Sequence, residues 1–137
     1  MITQKILDDL TYRIIGCAIE VHKELGPGLL ESVYDKCFRS EISRSGLQYQ
    51  CQLYVPVFYK GLQLDTELRL DLLIEDLIVV ELKAVDALHP LYEAQLLTYM
   101  KLLQKPKGVL INFNCINIFK DGQRTRVNDL YAALPKT

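Results

Sequence analysis

Residues Leu68–Val85 read LRLDLLIEDLIVVELKAV. Leu, Ile and Val fill 68–74 and 77–84, with Glu75 and Asp76 between them, a pattern that predicts two strands joined by a tight turn. Runs this apolar belong to a sheet covered on both faces. Three ionisable residues interrupt them: Asp71 in the first strand, Glu81 and Lys83 in the second. Burying unpaired charge costs on the order of several kcal/mol unless a partner or a cation compensates. Glu81 and Lys83 are two residues apart and so share one face of their strand.

Whether Asp71 joins them turns on the register. With Ile74 opposite Ile78 across a three-residue loop, Asp71 falls opposite Glu81. With Ile74 opposite Leu77 the two acids face away from each other, because a slip of one residue inverts a strand's faces. Two acids and a lysine gathered on a sheet suit divalent-metal chemistry. Hard cations such as Mg²⁺ take carboxylate oxygens and retain several waters. They also acidify a bound water and neutralise charge on a phosphoryl oxygen. A lysine beside that water can hold it or help to deprotonate it. The plain structural alternative is an ion pair on a partly exposed strand, and a Glu-x-Lys triplet by itself does not decide between the two.

At 137 residues, 50% hydrophobic and 24% charged, the chain has the size and composition of one globular domain spanning 1–137. Its first residues, MITQKILDDL, lack the apolar run of a secretory leader, and no stretch approaches the length of a membrane span. Cys17, Cys37, Cys51 and Cys115 are scattered without a Cys-x-x-Cys pair, which speaks against a zinc ribbon or a disulfide scaffold. A cytoplasmic protein with reduced core thiols and no membrane partner is expected. The net charge of −1 conceals an asymmetry: residues 1–99 carry nine basic and fifteen acidic side chains, residues 100–137 seven and two. A basic C-terminal part beside an acidic centre fits a phosphate-binding rim, and a solvated surface accounts for it equally.

Around the central hairpin the chain reads ααβββαββ. A first helix is predicted over Thr3–Leu25, capped by Thr3 and ended by Gly26-Pro27-Gly28, with His22 as a structural or capping residue in its last turn. A second helix over Leu29–Ser45 turns Val33, Tyr34, Cys37, Phe38 and Ile42 inward. Its Glu31 either complements the helix dipole or points along the helix edge toward the sheet. Strand character over Leu47–Tyr59, with Pro56 marking an edge or bulge, continues through Gln63–Arg69 into a meander of three antiparallel strands. Asp86 as cap and Pro90 in the first turn open a helix reaching Gln104, with Leu91, Ala94, Leu97, Leu102 and Leu103 apolar. Gln95 and Tyr99 stand one turn apart on one side of it. Val109–Phe113 is predicted as a buried strand reached by a crossover and parallel to its neighbour, and Ile116–Phe119 as a further strand. Asp121-Gly122 is a turn, Arg124 and Arg126 alternate on a face suited to a phosphate backbone or to solvent, and Asn128–Leu134 closes the chain with a helical turn. The fold class is α+β in layers, a central mixed β-sheet flanked by helices.

Asp71, then Glu81-Leu82-Lys83, then Gln95 and Tyr99 on the following helix, with Glu31 on an earlier one, resemble the PD-(D/E)XK nuclease superfamily, whose αβββαβ core is similar to the element order here. More narrowly, Gly28-Leu29-Leu30-Glu31-Ser32-Val33-Tyr34 is similar to the GxxExxY signature of a small bacterial and archaeal family within it. Val21-His22, Leu25-Gly26-Pro27 and Asn112-Phe113 add to the likeness. The resemblance implies a restriction-endonuclease-like core and a Mg²⁺- (or Mn²⁺-) dependent nuclease. Such an enzyme hydrolyses phosphodiester bonds of nucleic acid, DNA before RNA, with a metal-activated water. It implies that Asp71, Glu81 and the carbonyl of Leu82 ligate the metal, with Glu31 adding a carboxylate directly or through water. Lys83 would position or activate the attacking water, and Gln95 and Tyr99 would help to bind substrate and orient the lysine. Residue 70 is Leu where the superfamily pattern has Pro. The alternatives are a nuclease fold that grips nucleic acid or a protein partner with little turnover, and a buried ion-pair network with no metal. A chain this short is also open to forming a homodimer around duplex DNA.

Overall fold

A computed structural model gives the fold and describes residues 1–66 and 68–137. Four helices and seven strands follow in the order α1 (Gln4–Leu25), α2 (Glu31–Arg44), β1 (Tyr49–Tyr54), β2 (Val57–Tyr59), β3 (Leu62–Leu64), β4 (Arg69–Ile74), β5 (Ile78–Lys83), α3 (Pro90–Leu103), β6 (Lys107–Asn112), β7 (Gln123–Val127) and α4 (Asp129–Ala132). Five strands form one mixed sheet in the order β1-β4-β5-β6-β7. β5 and β6 are parallel, joined by the α3 crossover, and the other pairings are antiparallel. This is the predicted layered α+β class with a restriction-endonuclease-like sheet.

Helices cover both faces, which is why the central strands read as unbroken apolar runs. On one face α1 and α2 pack Leu7, Leu10, Ile14, Tyr34, Phe38 and Ile42 against Leu72, Ile74, Ile78, Val80, Leu82, Val109 and Ile111. On the other, α3 packs Leu96, Tyr99 and Met100 against Leu70, Leu73, Val79 and Leu110. Alternate residues of β5 therefore serve different layers, as strand periodicity requires. The approach of α3 depends on Gly108: a Cβ there would stand 2.7 Å from Met100 Sδ and 2.9 Å from Leu96 Cδ1.

The caps at the two ends of α1 are those predicted. Thr3 Oγ1 accepts the Ile6 N–H at 3.1 Å, and Gly26, with a φ of 69°, donates its N–H to the His22 carbonyl. His22 Nε2 lies 2.8 Å from the Cys115 carbonyl and ties α1 to the loop after β6.

Several local expectations are corrected. The predicted meander is interrupted: at Pro56 the chain leaves the sheet, makes the separate β2–β3 hairpin, and returns as β4. Ile116–Phe119 is not a strand. The Asn117 side chain accepts the Lys120 N–H, offering the backbone a local alternative to pairing. Ile118–Gly122 closes as a π-helical turn, and β7 takes the edge beside β6. The cap of α3 is His89, whose Nδ1 accepts the Leu91 N–H, rather than Asp86. That helix is apolar on most sides, so its period did not show which face turns inward: Leu91 and Leu97 are exposed, while Leu96, Tyr99 and Met100 are buried. Val33 is likewise exposed on α2. All four cysteines are free thiols; Cys17 is buried and Cys51 is exposed.

Candidate active site

The paired part of β4 and β5 runs from Ile74↔Ile78 to Leu72↔Val80, and then the strands part. Of the two registers, the one adopted has the three-residue loop, in which Glu75 and Asp76 both take left-handed φ values, 53° and 56°. Beyond Leu72 each strand keeps only its outer neighbour. Leu70 and Arg69 stay opposite Leu53 and Tyr54 of β1, while Glu81, Leu82 and Lys83 stay beside Leu110, Ile111 and Asn112 of β6. Within β4, Asp71 alone has a place in neither ladder. Gln52, across from it on β1, has a φ of 53°, and the β1–β4 register passes from Cys51↔Leu72 to Leu53↔Leu70 without that pair. A non-glycine residue held left-handed costs of the order of 1–3 kcal/mol, and such strain concentrates at functional sites.

In the gap so opened, carboxylates replace main-chain partners. The Leu82 N–H donates to Asp71 Oδ2 at 2.7 Å, and the Asp71 N–H donates to Glu81 Oε1 at 3.1 Å. Each acid thus satisfies the backbone of the opposite strand, including its own partner's neighbourhood. A strand residue's N–H and C=O point to the same side, so the Leu82 carbonyl also faces this gap. Lys83 follows, its Nζ 4.7 Å from the Tyr92 ring centroid on α3, within cation–π range. On the same helix Gln95 Nε2 donates to the Tyr99 hydroxyl at 3.0 Å, the one-turn pairing the spacing predicted.

The charges show which groups are neighbours. Burial, and then the adjacent charge of Asp71, push Glu81 from the usual carboxylate range up to about 9. Asp71 is itself raised by burial, against the opposing pull of the Leu82 N–H and Lys83. Glu31, in the first turn of α2, is raised by burial and then by Asp71, and lowered by Lys83. The Tyr99 hydroxyl is raised by burial and by Glu81 and Asp71. Asp71 therefore lies within electrostatic reach of Glu31, Glu81, Lys83 and Tyr99, and Gln95 is bonded to Tyr99.

One further acid belongs to this neighbourhood and was missed in the sequence. Asp35 lies one helical turn after Glu31, and its charge acts on both Glu31 and Asp71. Its Oδ2 pairs with Arg39 at 3.0 Å, while its Oδ1 is buried without a hydrogen-bond partner. The i, i+4 spacing was the available signal. Asn112 was noticed only as part of a resemblance, yet it anchors the segment after Lys83. Its Oδ1 accepts the Val85 N–H at 3.0 Å and its Nδ2 donates to the Val85 carbonyl at 2.9 Å.

Arg124 lies two strands from Glu81 in the same row of the sheet, with Leu110 between them, and Arg126 follows two residues along β7. Both pair with Glu93 Oε1 on α3, at 3.5 and 3.0 Å. Lys105 pairs with Asp76 and Lys107 with Asp8. Four of the seven basic residues of 100–137 thus pair with acids earlier in the chain, the two arginines with the same Glu93.

Among the described residues, no three His, Cys, Asp or Glu side chains form a group that could hold a metal ion. A cation that retains several waters does not require three. The donors present are hard oxygens: Asp71, Glu81, the Leu82 carbonyl and, from the helix side, Glu31. Burial, with the charge of Asp71 beside it, holds Glu81 above the carboxylate range, a cost that a bound divalent cation would relieve, so the residues fit Mg²⁺ or Mn²⁺.

The sheet thus splays at an acid, with a second acid and a lysine on the adjoining strand and a Gln–Tyr pair on the crossover helix. A family model of the PD-(D/E)XK nuclease superfamily matches residues 8–125, from within α1 into β7, and the chain belongs to that superfamily. Comparison with curated proteins and with solved structures returns no match. No helix among the described residues is long and apolar enough to cross a membrane.

Proposed function

We propose that the protein is a divalent-metal-dependent nuclease that hydrolyses phosphodiester bonds of DNA. The observation that carries this reading is the mutual engagement of Asp71 and Glu81 where β4 and β5 part, with Lys83 on the same strand. Asp71, Glu81 and the Leu82 carbonyl would hold Mg²⁺ or Mn²⁺, with Glu31 reaching it directly or through water. When bound, such an ion supplies charge neutralisation at the scissile phosphate and a more acidic water. Lys83 orients the attacking water and shares its proton, and the Tyr92 ring beneath it narrows the positions its ammonium can take. Gln95 and Tyr99 border the acids on the α3 side and contact the substrate strand there.

Membership of the GxxExxY branch is part of the same proposal, and its spacing has a physical rationale. Gly28 takes a φ of 98°, which favours glycine. The Tyr34 hydroxyl donates to the Gly26 carbonyl at 2.5 Å and accepts the Leu29 N–H at 3.1 Å. Its ring stacks on Phe113 at 4.6 Å. Glycine turn and tyrosine strut together fix the start of α2, and hence the direction from which Glu31 approaches the sheet.

The test is calorimetric titration of Mn²⁺ into the wild type and Asp71→Asn, followed by cleavage assays on single- and double-stranded DNA. Binding lost in the variant, with Mn²⁺-dependent cleavage by the wild type, is the expected result. Absence of binding in both proteins would leave Asp71, Glu81 and Lys83 as a buried polar network and overturn the reading.

A further inference from the structure

We propose that the β2–β3 hairpin and the strand ends that carry it form a stacking surface for unpaired bases, so that the strand delivered to the acids is single-stranded DNA. The inference rests on the nuclease reading and names its substrate form. The chain leaves the sheet after Tyr54 and re-enters at Arg69, which faces Tyr54 in the β1–β4 register and precedes Asp71 by two residues. At about 3.3 Å per residue, the root of the hairpin lies within roughly 7 Å of the acid along β4.

Three rings decorate this excursion with little cover. Tyr54, Phe58 and Tyr59 are 57%, 56% and 60% exposed. The hairpin pairs only Val57↔Leu64, Phe58↔Gln63 and Tyr59↔Leu62, and a two-stranded hairpin of that length gains little stability by itself. Two of the rings carry a cation. The Arg69 guanidinium lies 4.6 Å from the Tyr54 centroid and also donates to its hydroxyl at 2.8 Å. Lys60 Nζ lies 5.4 Å from the Tyr59 centroid. An exposed ring with a cation over one face can take a base on its other face while the cation meets the adjoining phosphate.

Charge separates this surface from a duplex-binding groove. By sequence, residues 54–69 hold Lys60 and Arg69 against Asp65 and Glu67, so the segment has no basic field to hold two backbones. The arginines of β7 and Lys105 and Lys107 are held in ion pairs. At the hairpin itself the residues supply stacking plus two local phosphate contacts, and stacking requires bases whose faces are open.

The test uses the full-length protein in EDTA, so that binding is read without turnover. Fluorescence anisotropy compares labelled dT20, its duplex with dA20, and rU20. The expected results are dT20 binding at least tenfold tighter than the duplex, and a salt dependence for dT20 no steeper than about −1.4 in log K against log salt, from two phosphate contacts. Phe58→Ala/Tyr59→Ala should weaken dT20 binding tenfold or more with the circular dichroism spectrum unchanged, and Phe58→Trp/Tyr59→Trp should retain it. Equal affinity for strand and duplex, an unaffected alanine variant, or preference for rU20 would each overturn the proposal. So would conversion of a dimer to a monomer by the alanine pair in sedimentation equilibrium, because the rings would then cover a second copy of the chain. The two readings fail separately. Loss of Mn²⁺ binding with ring-dependent dT20 binding intact strikes only the metal chemistry. Mn²⁺-dependent cleavage with ring-independent binding strikes only the hairpin.

Discussion

The Asp71 N–H donates to Glu81 Oε1 at the point where β4 leaves β5. In return, the N–H of the residue after Glu81 donates to the Asp71 carboxylate. The acids are thus part of the sheet's hydrogen bonding as well as of the candidate site. Each holds the other's strand at a fixed distance, and burial keeps a proton on Glu81 that a bound cation would have to displace.

That proton gives the first prediction a sign. The Glu81 pKa is about 9 in the folded protein against an ordinary 4.5. Between those values the folded chain holds a proton that the unfolded chain has released, so stability falls as pH rises through this window. Glu81→Gln keeps the side chain neutral throughout. It is expected to raise the urea midpoint at pH 8 by the equivalent of about 1–3 kcal/mol and to flatten the slope between pH 5 and 9. Mn²⁺ binding to the wild type at pH 7 should release close to one proton, read by calorimetry in two buffers of different ionisation enthalpy.

Asp71 separates a charge role from a hydrogen-bond role. Asp71→Asn keeps an acceptor for the Leu82 N–H and removes the charge beside Glu81, so it should fold at least as stably as the wild type at pH 8 while losing cation binding. Asp71→Ala loses both and leaves a partly buried N–H unpaired, a cost of about 1–3 kcal/mol. Urea denaturation of the two variants side by side checks the difference, which should favour Asn.

Asn112 should matter beyond its own strand. It is 4% exposed and satisfies both main-chain groups of Val85, just past Lys83. Asn112→Leu leaves the Val85 N–H without a partner and the Val85 carbonyl with only Asn114 Nδ2 at 3.4 Å, and is expected to cost about 1–3 kcal/mol in denaturant unfolding. Hydrogen exchange should show the Ala84–Asp86 amides losing protection beyond the fall in global stability, with the helix α1 amides losing no more than that fall.

Tyr34→Phe tests the strut under Glu31. The stack on Phe113 survives, but the bonds to Gly26 and Leu29 go. A stability loss of about 1–2 kcal/mol is expected. If Glu31 serves the metal, Mn²⁺ affinity should fall several-fold as the start of α2 loosens, and calorimetric titration reads this directly.

The parts of this site that could be read in the chain are those whose information is local. Asp71, Glu81 and Lys83 announce themselves as charges inside apolar strands, because burial makes such residues costly wherever the strands end up. Gln95 and Tyr99 pair because helical geometry puts residues four apart in contact. Thr3, Gly26 and Pro90 mark helix ends through backbone chemistry that acts within a few residues. The predicted strand at Ile116–Phe119 failed on an equally local matter: the capping power of Asn117 outweighs a short apolar run. The facing of α3 failed because a helix apolar on most sides carries no phase.

What the sequence by itself determined is the set of ionisable and polar groups inside apolar elements and the kind of element that bears each, since both follow from side-chain chemistry and from the periods of strand and helix. Tertiary structure decided which of those groups meet. The three-residue loop and not its shorter rival sets Asp71 against Glu81. The left-handed Gln52 and the parting of β4 from β5 leave Asp71 outside both ladders, and the packing of α2 on the sheet brings Glu31 and Asp35 to the same place. The pairing of C-terminal bases with distant acids was likewise set in three dimensions. The physical reason is common to all of these: a register slip, a strand splay or an ion pair between distant residues changes the site completely while leaving every local pattern in the chain as it was.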